Sequence, residues 1–177
     1  MKVHLCCGDV YLDGYLNIDA CGTLASGVVN KTTVDKYYAG EMFKPKHLVI
    51  DRQMKLPDEW DYQPDSLDEV LLICAIEHFS KDDVVELIKN IYISLKIGGD
   101  FRFDFPDVLE TVDKYKDNPD LMMRLIYGSG KNEFAYHKHG YTKETISAVL
   151  NEHPWSSIEF KEIVKHDYPM IGVIATK

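Results

Sequence analysis

Several short apolar runs in this chain are each followed at once by a residue able to hold or transform a ligand. Cys7-Gly8-Asp9 close the run Lys2–Cys6, Asp19 follows Tyr15–Ile18, Asp51-Arg52 follow His47–Ile50, and Glu77-His78 follow Val70–Ile76. Asp104 and Asp107 flank the end of a fifth run built on Phe101, Phe103 and Phe105. If the runs are parallel strands of an open α/β sheet, these residues gather beyond its carboxyl edge, where such sheets bind ligands. Their chemistry suits a nucleoside cofactor. Gly8 lets ligand atoms approach the backbone, because a side chain there would collide with them. Asp19 can accept from both ribose hydroxyls. Asp51 can accept from an adenine amino group, while the Arg52 backbone N–H meets a ring nitrogen.

The histidines offer proton chemistry near neutral pH. His78, just past the fourth run, and the pair His137 and His139 before Tyr141 are the candidates for a general base. Each has a structural alternative: His78 can orient the start of the next helix, and His137 and His139 can belong to an exposed loop. Phe134, Tyr136 and Tyr141 could line an acceptor pocket or simply pack in the core. His137-Lys138-His139 lacks an evident third ligand, so no metal site is expected. Cys6 and Cys7 read as small apolar fillers rather than nucleophiles.

The elements that position these residues alternate between strand and helix, which predicts a mostly parallel sheet with helices on both faces. Only about ten residues separate the first two strands, at the lower limit for a parallel crossover, so either a very short helix or a turn with Asp13-Gly14 is expected there. Residues 20–46 are interrupted by Gly22, Gly27 and Gly40, and carry at most a helical turn over Val34–Ala39. Val70–Ile76 is continuously apolar, as a strand covered on both faces must be. Ser80 with Asp83 three residues on predicts a capped helix, whose apolar positions Val84, Leu87, Ile88, Ile91 and Leu95 recur at helical spacing. Gly98-Gly99 is expected to end it. Phe101–Phe105 alternate as a strand stopped by Pro106. Asn118-Pro119 opens a helix through about Ile126, and Thr142 caps another. The closing runs Ser157–Val164 and Ile171–Thr176 are joined so briefly that they must pair antiparallel. No repeat or linker interrupts the pattern, so residues 1–177 are expected to form one domain.

Taken together, these segments resemble the small class I S-adenosylmethionine-dependent methyltransferases. HLCCGDVYLDGYLNID is similar to that family's glycine turn and following Gly-aromatic-x-Asn-x-Asp segment. DRQMKLPDEWDYQPDSLDEVLLICAIEHF is similar to its later Asp, Leu-Pro and Glu-His-Phe stretch. SLKIGGDFRFDFPD and HKHGYTKETISAVL resemble its fifth-strand entry and the opening of its last helix. The resemblance implies a doubly wound, Rossmann-like seven-stranded sheet with the last strand antiparallel, and S-adenosylmethionine as cofactor. It implies that Cys6, Cys7 and Gly8 wrap the methionine end of the cofactor, Asp19 its ribose, and Asp51 and Arg52 its adenine. Cys74 and Ala75 would line the sulfonium side. The sequence departs from the family pattern at Ile97, where proline is usual, and at Cys6, where glycine is usual.

Charge narrows the partners. A net charge of -9 opposes unspecific binding of nucleic acid or an anionic membrane. A small-molecule or sugar-type acceptor is the expectation. The N-terminus MKVHLCCGD lacks a separate apolar stretch, and no apolar run reaches the roughly 18–20 residues that span a bilayer. The four cysteines form no CxxC pair, so a reducing, cytoplasmic setting is expected. Two other readings stand beside methyl transfer. A side chain at Cys6 narrows the cleft, which suits a catalytically silent binding module or partner subunit. A nucleotide-cofactor oxidoreductase also places an acid after strand two, but the first turn lacks G-x-G-x-x-G.

Overall fold

The structure, a computed structural model, describes residues 1–26, 29–41, 48–162 and 168–177. Strand β1 (Lys2–Leu5) is followed, after a turn and without a helix, by β2 (Leu16–Asp19). The turn is held by the Asn17 carboxamide, whose Oδ1 accepts from the Leu12 backbone N–H at 2.9 Å and whose Nδ2 donates to Leu12 O at 3.0 Å. Beyond β2 the chain forms β3 (Thr23–Leu24) and the short helix α1 (Val34–Tyr38), then β4 (Val49–Ile50) and β5 (Arg52–Gln53). The expected third strand, His47–Ile50, is strand at Val49–Ile50 (β4), which pairs with β3 apart from the main sheet; the strand that pairs with β2 is β5, which begins beyond Asp51. His47 lies outside the described residues.

The remaining elements follow the predicted alternation. They are β6 (Leu67–Leu72), α2 (Lys81–Ser94), β7 (Leu95–Pro106), α3 (Val108–Tyr115), α4 (Pro119–Tyr127), α5 (Lys143–Leu150), β8 (Ser157–Glu162) and β9 (Met170–Thr176). The seven-stranded sheet has the order β5–β2–β1–β6–β7–β9–β8. All its pairs are parallel except those of β9, which runs antiparallel to both β7 and β8.

Both faces of β6 are covered. Val70 and Leu72 join the cluster that holds Phe101, Phe103, Phe105 and the inner faces of α2 and α5. Leu71 and Ile73 join a second cluster with Val10, Leu12 and Tyr37. Since alternate strand residues point to opposite faces, the two clusters lie on the two sides of the sheet. Each fully buried large apolar side chain contributes about 1.5–3 kcal/mol.

Three helix starts match their sequence signals. Ser80 Oγ accepts from Asp83 N at 3.1 Å, and Asp83 Oδ2 from Ser80 N at 3.3 Å. Asn118 caps α4 with Pro119 behind it, and Thr142 caps α5. Gly98-Gly99 do something other than expected. Helix α2 has already ended at Ser94, and the glycines lie inside β7. There Gly98 adopts a left-handed φ of 79°, and a Cβ on Gly99 would stand 3.0 Å from both Asp68 O and Lys96 O. The pair thus makes an irregularity in the strand, where the register against β6 shifts between Leu67 and Glu69. Among the described residues no helix is long and apolar enough to cross a membrane.

Candidate active site

The chain leaves β1 toward β2 on one side and returns to β6 on the other, so the sheet order reverses between β1 and β6. A cleft of about 920 Å³ opens beyond the carboxyl ends of these strands, lined among others by Cys6, Gly8, Asp19, Cys74, Ala75 and His78. That volume falls within the range of small-ligand sites.

The turn after β1 is shaped by two left-handed residues, Cys6 at φ 49° and Gly8 at φ 52°. A non-glycine residue pays roughly 1–2 kcal/mol for that conformation, so Cys6 is held there against its preference. The Gly8 N–H donates to Asp19 Oδ2 at 3.0 Å, and the Cys21 N–H donates to Asp19 Oδ1 at 3.2 Å. Asp19 is thereby fixed at the cleft wall by two backbone donors. The nearest atom to a Cβ built on Gly8 is Cys6 O, at 4.0 Å, so a side chain there would project into open space. Cys6 narrows the cleft without closing it. Cys7 does not reach it: its side chain is buried in the interior, while its N–H donates to Ile18 O at 2.9 Å. Burial raises the thiol pKa of both cysteines, and all four cysteines are free thiols.

Asp51 and Arg52 also stand outside the cleft lining. The Asp51 carboxylate accepts from the Tyr11 hydroxyl, from Asn17 N at 2.8 Å and from Asn17 Nδ2 at 3.2 Å. The Arg52 guanidinium pairs with Asp61 at the surface. Asp51 sits between β4 and β5, so the edge strand that pairs with β2 ends at Gln53, three residues later than the apolar run suggested. Met54, Lys55 and Leu56 consequently line that end of the cleft.

At the opposite end, Cys74 turns the chain with a φ of 47°. The fully buried Asp104 on β7 holds this turn, its Oδ1 accepting from Cys74 N at 2.6 Å and its Oδ2 from the Tyr38 hydroxyl at 3.0 Å. Asp107 instead caps α3, accepting from Glu110 N at 3.1 Å. A single 3-10 turn, Ile76–His78, then presents Glu77 and His78. The Glu77 carbonyl accepts from Lys138 N at 2.8 Å and His139 N at 3.3 Å, which clamps residues 136–141 onto the end of β6. His137 is brought over Glu77 in this way, with its Nε2 4.0 Å from Glu77 Oε1.

His78 and His137 both line the cleft and meet edge to face, ring centroids 4.8 Å apart. His78 Nδ1 lies 3.0 Å from Tyr136 O, and His137 Nδ1 lies 3.2 Å from Ile126 O. A carbonyl can only accept, so both Nδ1 atoms carry the proton and both Nε2 atoms keep a lone pair. Burial lowers the pKa of each ring and pushes the Glu77 carboxyl up to about 8. His139 is not among the residues that line the cleft. It faces Tyr141 at a ring distance of 4.7 Å and lines a small adjoining pocket that Glu77 and His137 also border. Phe134 lines the cleft, Tyr136 is exposed, and Tyr141 is buried.

No protein-family model and no curated protein matches the chain. Solved structures do. An S-adenosylmethionine-dependent methyltransferase from Archaeoglobus fulgidus superimposes with a TM-score of 0.60 at 13% identity, covering 99% of this chain and 85% of that one. An S-adenosylmethionine-dependent methyltransferase from Mesorhizobium loti gives 0.56 at 15% identity, covering 99% of this chain and 90% of that one. The chain therefore has the Rossmann-like fold of these methyltransferases, with its antiparallel C-terminal strand.

Proposed function

We propose that the protein binds S-adenosylmethionine in the cleft beyond β1, β2 and β6 and transfers its methyl group to a small-molecule or sugar-type acceptor. The observation that carries this reading is Asp19, held by the Gly8 and Cys21 backbone N–H groups at the point where the sheet order reverses. Its carboxylate is the group that would accept from the ribose hydroxyls, and Gly8 leaves the backbone open beside it. Cys6, Cys74 and Ala75 would line the sulfonium side, and Met54 and Lys55 the adenine side. The bound cofactor supplies the activated methyl, so the protein's contribution is chiefly alignment, a term that can reach roughly 7–11 kcal/mol.

A hydroxyl acceptor must also lose a proton. The Nε2 lone pairs of His78 and His137 are the basic groups on the cleft wall that could take it. The acidic surface favours a small acceptor over nucleic acid, and four free thiols favour a reducing, cytoplasmic compartment.

Calorimetry with S-adenosylmethionine, S-adenosylhomocysteine and NAD tests the reading. Binding of the first two but not NAD is expected. Failure of both to bind refutes it in favour of a silent module, and binding of NAD alone points to an oxidoreductase.

A further inference from the structure

We propose that Glu77, His78 and His137 form a binding site for a divalent first-row transition ion at the edge of the cleft. One ligand atom from each of the three lies within 4.8 Å of the others. Two imidazoles and a carboxylate are the donor set of catalytic zinc sites and of non-haem iron sites, which leave further positions open. Ligands at 2.0–2.2 Å from a common tetrahedral ion stand about 3.4 Å apart. Closing on an ion therefore asks side-chain atoms to move inward by roughly an ångström, within reach of small torsional changes.

Three further observations point to a cation. Both histidines are anchored through Nδ1–H on backbone carbonyls, which is how metal-bound imidazoles are oriented with Nε2 toward the ion. Glu77 is only 3% exposed, and its Oε2 has no hydrogen-bond partner. A carboxylate so enclosed needs a compensating charge or must give up its own. Finally, both rings line the cleft, so an ion held by them would keep its open positions toward an acceptor. The imidazoles favour zinc, iron, nickel or copper over magnesium, calcium or manganese.

The site stands on these three side chains and not on the cofactor. Within the methyl-transfer reading, an ion held by the two Nε2 atoms would occupy the lone pairs that otherwise serve as bases. It would act instead as a Lewis acid that lowers the pKa of the acceptor hydroxyl, whose proton would pass to solvent. The experiment is titration of the chelator-treated full chain with Co²⁺, read by visible absorption, and with Zn²⁺, read by calorimetry. One saturable site is expected, weakened at least 10-fold in Glu77→Gln, His78→Ala and His137→Ala and unchanged in His153→Ala.

Absence of a saturable site overturns the proposal, as does wild-type affinity in the folded variants of the three ligands. If Glu77→Gln fails to fold, the two histidine variants decide the matter. Cofactor calorimetry in metal-free buffer is run alongside. Metal binding without cofactor binding defeats only the methyl-transfer reading, and the converse defeats only the metal site.

Discussion

Asp51 accepts two hydrogen bonds from Asn17, one from the backbone N–H at 2.8 Å and one from the carboxamide at 3.2 Å. With the Tyr11 hydroxyl as a third donor, this carboxylate ties the β1–β2 turn to the edge of the sheet. Its work is structural. Asp51→Ala should lower unfolding free energy by about 2–4 kcal/mol, because buried donors lose a charged acceptor. Cofactor affinity of the folded fraction should change less than threefold. Urea unfolding and calorimetry on one preparation check both; a large affinity loss at unchanged stability would contradict the assignment.

Asp19 should behave in the opposite sense. Asp19→Asn keeps the shape of the side chain but removes the charge facing the cleft. A charge-assisted hydrogen bond contributes about 1.5–3 kcal/mol, so S-adenosylmethionine affinity should fall about 10–100-fold while the circular dichroism spectrum stays unchanged. Equal affinity in the variant would remove Asp19 from the binding site.

Gly128 and Gly14 provide a contrast in backbone tolerance. Both have left-handed φ, 82° and 81°. A Cβ at Gly128 would stand 2.3 Å from Ala135 O, whereas nothing lies within 4 Å of one at Gly14. Gly14→Ala should therefore cost about 1 kcal/mol, the conformational penalty alone. Gly128→Ala should cost about 3 kcal/mol or more and displace the segment that carries His137. Faster amide exchange over residues 128–139 in that variant only is the expected readout.

His4 makes stability sensitive to mild acid. It is buried, its Nδ1 donates to Asn17 Oδ1 at 3.1 Å, and burial lowers its pKa to about 4. In the unfolded chain the ring titrates near pH 6.5, so between the two values the unfolded state binds more protons. The stabilisation is complete above pH 6.5 and is lost as pH falls toward 4, by about 3 kcal/mol in all. Unfolding free energies at pH 7.5 and 5.0 should differ, and His4→Gln should reduce the difference. An identical pH slope in the variant would disprove the role.

Residue spacing alone determined the strand–helix alternation, the caps at Ser80, Asn118 and Thr142, the closing antiparallel pair and the placing of Asp19, Gly8 and His78 at strand ends. Those features rest on local rules: side-chain period, turn chemistry and capping act over a few residues and are visible in one dimension. The tertiary structure decided the rest. Asp51 was legible as an acid after an apolar run, but that run pairs with β3 outside the main sheet, β2 takes Arg52–Gln53 as its neighbour, and the Asp51 carboxylate turns toward Asn17. Cys7 was displaced from the cleft to the interior by the left-handed turn at Cys6. Glu77 was visible beside His78, yet its partnership with His137 spans sixty positions and depends on the carbonyl clamp that folds residues 136–141 over β6. Register, side-chain direction and the meeting of distant segments are set by packing of the whole sheet, and no local pattern encodes them.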